Sequence, residues 1–333
     1  MKNQIFLLAL ALLASATTAH GRAKSEPHPG ASAFLNELAK EAKADRHQKQ
    51  IWRDLLHDAK YQDSVIKAIT RPAEKTKPWK EYRPIFMTET RISEGAKFLN
   101  ANRELLEQVT AETGVPAEII VAIIGVETSY GKITGTYRVL DALTTLSFYY
   151  PPREPFFRGE LKRYLQLSPH LPAPLDELKG SYAGAMGWGQ FMPTSFHNWA
   201  MDGDGDDKID LWSSKPDIFY SIANYFVAHG WEKGQPVCDR AEVASDAERP
   251  QLNSTEPLHT VGTLAAMGYA VNNPGLDLYR PATMLELDGA EGLETWLTYQ
   301  NFYVISRYNR SPLYSMAVHQ LSQEIAKRAG GPA

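Results

Sequence analysis

The chain has 333 residues, enough for one large domain or two to three small ones with real hydrophobic cores. Hydrophobic residues make up 43% and charged residues 22%, a balance that excludes a disordered or low-complexity protein. The net charge of −4 leaves no basic surplus for a polyanion, which argues against nucleic acid as a partner.

The chain opens with Met1-Lys2, an apolar run from Ile5 to Ala14, and small residues from Ser15 to Ala19. That is the three-part build of a secretory signal peptide, with cleavage expected after Ala16, Ala19 or Gly21. The run is too short for a spanning helix, which needs ~20 apolar residues, and no later segment has the length. Cys238 is the single cysteine, so no internal disulfide, two-thiol redox motif or lipid-acceptor cysteine near the leader is expected. These features predict a soluble, periplasmic protein after cleavage.

Residues 31–110 read as helix, with Phe34, Leu38, Ile51, Leu55, Val65 and Ile66 at helical spacing between charges. Prolines near Arg71-Pro72 and over Pro78–Pro84 interrupt the pattern. The stretch Ser93 to Thr113 predicts one further amphipathic helix, with Phe98, Leu105, Leu106 and Val109 on one side. After Gly114-Val115-Pro116 comes the run Ile119 to Val126, apolar on every side. Proline is suited to a helix start, so a buried helix in the middle of the fold is expected.

Glu127 ends that run. A carboxyl group there is partly desolvated and faces the negative end of the helix dipole, and both effects raise its pKa. A carboxylic acid kept protonated near neutral pH is what glycosidic cleavage needs, because the leaving oxygen must receive a proton. Taken alone, a Glu at a helix end is more often a solvated cap or ion pair than a catalytic acid. Asp141 is the second carboxylate to weigh, and its place before Ala142-Leu143 points to a helix N-cap.

Residues 180–195 are rich in glycine, at 180, 184, 187 and 189, which would let a bulky ligand approach the backbone. Trp188 and Phe191 offer flat faces for a sugar, and Ser181 and Gln190 offer directional hydrogen bonds. The alternative is a tight packing motif. A nucleotide loop is excluded, since no Gly-Lys-Ser/Thr follows and no clear strand precedes. From about Gln235 to Thr298, prolines, short apolar stretches and the turn Asn272-Asn273-Pro274-Gly275 predict a small mixed domain with strands. Helical patterning returns over Ser311 to Arg328.

Several motifs together resemble the lytic murein transglycosylase B family, in its soluble, non-lipoprotein form. They are Gly125-Val126-Glu127-Thr128-Ser129-Tyr130-Gly131, Arg138 to Leu146, Gly184-Ala185-Met186-Gly187-Trp188-Gly189-Gln190-Phe191-Met192-Pro193, Ala223 to Trp231, Asn301-Phe302-Tyr303 and Arg307-Tyr308-Asn309. They run in consistent order over roughly residues 35 to 325. The resemblance implies a mainly α (α+β) fold: a lysozyme-like helical catalytic core with an N-terminal helical region and a small inserted α/β domain. The layout expected is a leader over 1–21, helices over 27–112, the core over 113–235 with 300–330, and the insertion over 236–299.

It implies an enzyme cleaving the β-1,4 bond from N-acetylmuramic acid to N-acetylglucosamine in peptidoglycan. One Glu acts as acid and then base, and the muramyl 6-hydroxyl attacks in place of water to leave a 1,6-anhydro end. Carried over by position, Glu127 is the acid/base, and Ser181, Gln190, Tyr225, Tyr303 and Tyr308 are candidates for the sugar groove. The implied partners are glycan strands and cell-wall synthesis or remodelling proteins, with no nucleic acid, no organic cofactor and a monomeric state. A hydrolytic muramidase, a non-catalytic glycan-binding protein and a calcium-regulated binding module are the competing readings.

Asp202-Gly203-Asp204-Gly205-Asp206-Asp207-Lys208-Ile209-Asp210 places carboxylates at positions one, three, five and nine of an EF-hand-type loop, with the Lys208 carbonyl at seven. Alternating Asp residues deliver hard oxygens to one point, which suits a structural Ca²⁺. Two departures stand out: Asp207 at the glycine position and Ser213 at the terminal Glu position. The resembled family uses a longer loop, and Asp217 fits its last carboxylate.

Overall fold

The computed structural model describes residues 28–71, 77–248, 255–273 and 275–330. The expected leader lies outside the described residues, and so does Pro274 of the expected turn. Packing gathers 77–130 and 222–330 into one unit and 28–71 and 131–221 into another. Among the described residues no single helix is long and apolar enough to cross a membrane.

The chain begins with α1 (Ala31–Glu41), α2 (Arg46–Asp58) and α3 (Asp63–Thr70). The side chain of Asp45 caps α2 by accepting the Gln48 N–H at 2.8 Å. Next come α4 (Trp79–Phe86), α5 (Glu89–Ala101) and α6 (Arg103–Thr113). Pro78 stands just before α4, and Pro84 lies within it rather than breaking it. The single helix expected over Ser93 to Thr113 is instead two. Asn102 leaves helical geometry at φ −123° and turns its amide back to donate to the Phe98 carbonyl at 2.7 Å, which ends α5.

Helix α7 (Ala117–Thr128) carries the expected buried run. Pro116 precedes it in extended geometry, and Ile119 to Val126 are all buried. Its apolar girth is enclosed by α5, α6 and α14 (Pro312–Arg328) of the same unit. Each fully buried Ile or Val contributes about 1.5–3 kcal/mol, so α7 is a principal anchor of this unit. Ser311 caps α14 by accepting the Tyr314 N–H, and α14 follows α13 (Gln300–Tyr308).

The second unit pairs β1 (Tyr137–Arg138) antiparallel with β2 (Lys179–Gly180), and packs α8 (Val139–Tyr149) on α9 (Glu154–Leu165). A short strand therefore does precede the Gly-rich loop. Helix α10 (Pro193–Trp199) follows that loop, and α11 (Lys215–Ala228) follows the acidic one. The mixed region expected from Gln235 to Thr298 holds β3 (Cys238–Val243), β4 (His259–Thr260), α12 (Val261–Ala266), β5 (Tyr269–Val271), β6 (Pro281–Gly289) and β7 (Gly292–Thr298). The strands form one antiparallel sheet in the order β4-β6-β7-β3-β5, over a core that includes Leu264, Tyr269, Met284 and Leu297. Cys238 is a free, buried thiol in β3. The helix-rich fold with a small antiparallel sheet agrees with the expected mainly α (α+β) class.

Candidate active site

Glu127 sits in the last turn of α7, one residue before its end. Its side chain keeps some solvent contact, yet burial dominates its carboxyl and raises the pKa from 4.5 to about 7. One contact opposes that shift. The Tyr314 hydroxyl, on α14, donates to Glu127 Oε1 at 2.7 Å and favours the carboxylate. Burial and the nearby Glu127 charge together push the Tyr314, Tyr308 and Tyr82 phenols upward. These three hydroxyls stay protonated, so they can donate to an anion but cannot exchange protons near neutrality.

Just past Glu127, Ser129 and Tyr130 hold φ of 50° and 62°, the left-handed region, followed by Gly131 at 81°. Each non-glycine residue there costs roughly 1–2 kcal/mol. The turn stops α7 abruptly after the carboxylate.

The sequence candidates fall into two groups. Tyr225, Tyr303 and Tyr308 belong to the unit that holds Glu127. The Tyr225 ring is buried and stacked on His229 at 4.0 Å, with its hydroxyl donating to the Arg307 carbonyl at 2.6 Å. Tyr308 packs edge-on against Tyr225 at 4.8 Å, and Tyr303 is half-buried with the Arg307 guanidinium 5.8 Å from its ring centre. Sequence reasoning missed Tyr82 and Tyr314. Neither carries a local signal, because a tyrosine at helical spacing looks like packing.

Ser181 and Gln190 belong to the other unit, in the Gly-rich loop. Ser181 Oγ accepts the N–H groups of Ala183 and Ala185, at 3.3 and 3.0 Å. Gln190, itself left-handed at φ 52°, donates from Nε2 to the carbonyls of Thr134 and Gly187, at 3.1 and 2.9 Å. Both side chains hold the loop's shape and remain half-buried.

Two expectations for this loop are corrected. Phe191 is 2% exposed, so it is core rather than a sugar platform, while Trp188 remains partly exposed. The glycines at 180, 184 and 187 serve the loop's own folding. A Cβ on Gly187 would collide with the Leu211 carbonyl, one on Gly184 with the Leu143 side chain, and one on Gly180 with the Ala185 carbonyl. The chain's own atoms, not a ligand, fill those spaces.

Asp141 is not a helix N-cap. It lies in the first turn of α8, whose N-cap is Arg138. Its oxygens accept from the Lys60 N–H at 2.9 Å and the Gln62 amide at 3.2 Å, with Arg138 at 3.4 Å, so it serves as a buried tie within its unit.

In the acidic loop, carboxylate oxygens of Asp202, Asp204 and Asp217 lie within 4.8 Å of one another, a hard-oxygen cluster suited to a divalent cation. Asp207 takes the glycine position at φ 67°, a geometry that Asp tolerates. Asp202 accepts the N–H groups of Gly205 and Asp207 at 2.7 and 2.9 Å, which curls the loop. Asp217 is buried in the first turn of α11 and accepts from Gly203 and Asp210, at 2.8 and 2.6 Å. Burial raises its pKa, and those N–H groups oppose the rise. Asp206 stands outside the cluster and accepts the Lys208 N–H at 2.8 Å; the Lys208 ammonium reaches the Pro169 carbonyl at 3.2 Å.

Comparison with known proteins gives a consistent picture. The transglycosylase SLT domain family matches residues 30–323. The membrane-bound lytic murein transglycosylase B of Escherichia coli (strain K12) is 40% identical over 309 residues, which span 90% of this chain and 83% of that relative. The crystal structure of catenated lytic transglycosylase SltB1 from Pseudomonas aeruginosa is 45% identical, with a TM-score of 0.85 over 91% of this chain and 98% of that one. The Escherichia coli lytic transglycosylase Slt35, solved in complex with calcium, is 39% identical, with a TM-score of 0.79 over 90% of this chain and 93% of that one.

Proposed function

We propose, for a chain that belongs to the transglycosylase SLT domain family, that Glu127 is the single acid/base of its reaction. The chain is a lytic transglycosylase acting on peptidoglycan. The observation that carries the assignment is the buried Glu127 carboxyl, protonated up to about pH 7 and held by Tyr314.

In the first step Glu127 gives its proton to the leaving C4 oxygen of N-acetylglucosamine as the bond to muramyl C1 breaks. The carboxylate then takes the proton of the muramyl 6-hydroxyl, whose oxygen bonds to C1. No water is consumed, and a 1,6-anhydro end results. One carboxylate suffices because the nucleophile is internal. Around it, the Tyr314 donor stabilises the transient carboxylate, and the desolvated setting restores its basicity for the second transfer.

Ser181, Gln190, Tyr225, Tyr303 and Tyr308 are proposed to contact the glycan, on the strength of the family motifs they occupy. Ser181 and Gln190 have partly exposed side chains, as do Tyr303 and Tyr308. The same reading assigns Asp202, Asp204 and Asp217 to a structural Ca²⁺, with Asp206 and the Lys208 carbonyl as additional oxygens. The ion would brace the loop against α11 and supply no chemistry. Export to the periplasm as a soluble protein rests on the leader-like first residues. Murein digestion by wild type and by Glu127→Gln tests the assignment: a variant that releases fragments at the wild-type rate rules Glu127 out.

A further inference from the structure

Arg91 of α5 holds the end of α7. Arg91 donates from Nη1 to the Gly125 carbonyl at 2.8 Å and from Nη2 to Ser129 Oγ at 3.3 Å. Tyr130 answers in the other direction, its hydroxyl donating to the Arg91 carbonyl at 2.7 Å. The Tyr130 ring occupies a slot that two glycines leave open. A Cβ on Gly95 would overlap its hydroxyl, and one on Gly125 would stand 2.8 Å from its ring. Phe86 lies under the guanidinium at 5.2 Å, and Phe98 stacks on Tyr130 at 5.7 Å.

We propose that Arg91, clasped by Tyr130, is a positioning residue for Glu127: it fixes the left-handed turn that ends α7 and thereby keeps the Glu127 carboxyl in its largely desolvated setting against Tyr314. This rests on the acid/base role given to Glu127. The clasp grips the chain on both sides of that residue, at Gly125 two positions before it and at Ser129 two positions after. Ser129 and Tyr130 occupy a backbone region that neither favours, so the turn persists because its surroundings impose it. Without the clasp, the last turn of α7 is free to unwind, and the carboxyl two residues upstream gains water.

The titratable groups that face Glu127 are Tyr314 from α14, Tyr308 from α13 and Tyr82 from α4. Arg91 meets the backbone end of α7 rather than the carboxyl. Its effect on Glu127 therefore comes through geometry and hydration, not through a direct charge pair. A hydrated carboxyl has a lower pKa than a buried one, so a loosened clasp moves the loss of activity with rising pH to lower pH.

The experiment measures kcat, KM and the pH profile of Arg91→Met, Arg91→Lys and Tyr130→Phe on soluble glycan strands, beside Glu127→Gln. In Arg91→Met, kcat at pH 7 is expected to fall about tenfold with KM within about twofold, since positioning and not sugar binding is lost. Its alkaline limb is expected about one pH unit lower. Arg91→Lys restores part of both, through one of the two donors. Tyr130→Phe keeps the ring in its slot and moves the limb the same way by less, so it carries the test if Arg91→Met does not fold. Variants that lose thermal stability while their alkaline limb stays at the wild-type pH overturn the proposal. If Glu127→Gln is inactive and the limb is unmoved, only the clasp fails. If Glu127→Gln is active, the reading beneath it fails.

Discussion

Tyr314 donates its phenolic hydrogen to Glu127 Oε1 at 2.7 Å, across 187 residues of sequence. The bond occupies one carboxyl oxygen, so under the proposed acid/base role Oε2 is the oxygen left to carry the transferred proton. Removing a donor from a carboxylate raises its pKa, so Tyr314→Phe should move the alkaline limb of kcat upward by about half a unit to one unit. Activity below neutrality should fall about tenfold, because the carboxylate formed after proton transfer loses its stabilising donor. A pH–rate profile measures both, and an unmoved limb counts against the contact.

Glu127 also taxes the fold. Its pKa is raised in the folded state, from 4.5 to about 7. The native state therefore holds an extra proton between those values. Stability is fully present below about pH 4.5 and is lost as pH rises through about 7. Glu127→Gln, which keeps the acceptor for Tyr314, should be more stable than wild type at pH 8 by on the order of 2–3 kcal/mol, and equal to it at pH 4. Urea unfolding at the two pH values measures the difference.

His319 works in the opposite sense. It is buried on α14, and burial lowers its pKa from 6.5 to about 4, against a smaller pull upward from Asp239. The unfolded chain takes up a proton there that the native state refuses, so stability falls as pH drops from about 6.5 towards 4. His319→Gln should flatten that decline by about 2 kcal/mol. Melting curves of the two proteins at pH 7 and pH 4.5 provide the check, and parallel declines would count against a buried neutral histidine.

The Asp202, Asp204 and Asp217 cluster should report a cation through stability. Ca²⁺ at about 100 times its Kd stabilises the native state by about 2.7 kcal/mol, a rise of several degrees in Tm. Asp217→Asn should abolish the rise, and Asp206→Asn should weaken it, because Asp206 stands outside the cluster. Calorimetry with chelator and with added Ca²⁺ separates these outcomes. A flat Tm in wild type removes the ion from the account.

The parts of the fold that are legible in sequence are those where one periodicity dominates. The run Ile119 to Val126 is apolar on every face and is the buried helix it promises, and Ser311 caps α14 where its pattern begins. Where two elements share one pattern, the boundary is lost. Asn102 divides Ser93 to Thr113 because its amide competes for the Phe98 carbonyl, an outcome decided by a single polar side chain. Phe191 and Asp141 show the same limit: an aromatic and a carboxylate each have a surface role and a buried one, and tertiary packing selects the buried one. Tyr314 reaches Glu127 only because α14 packs on α7, which no local spacing encodes.

The central claim is that one buried carboxyl, Glu127, both gives and takes the proton while an internal hydroxyl closes on C1. Mass spectrometry of the ends produced from purified murein tests it most directly, with wild type and Glu127→Gln digested in parallel. Wild type should yield 1,6-anhydromuramyl ends without reducing muramyl ends, and Glu127→Gln should yield neither above background. Reducing ends from the wild-type enzyme would mean that water, not the 6-hydroxyl, is the nucleophile, and would contradict the account.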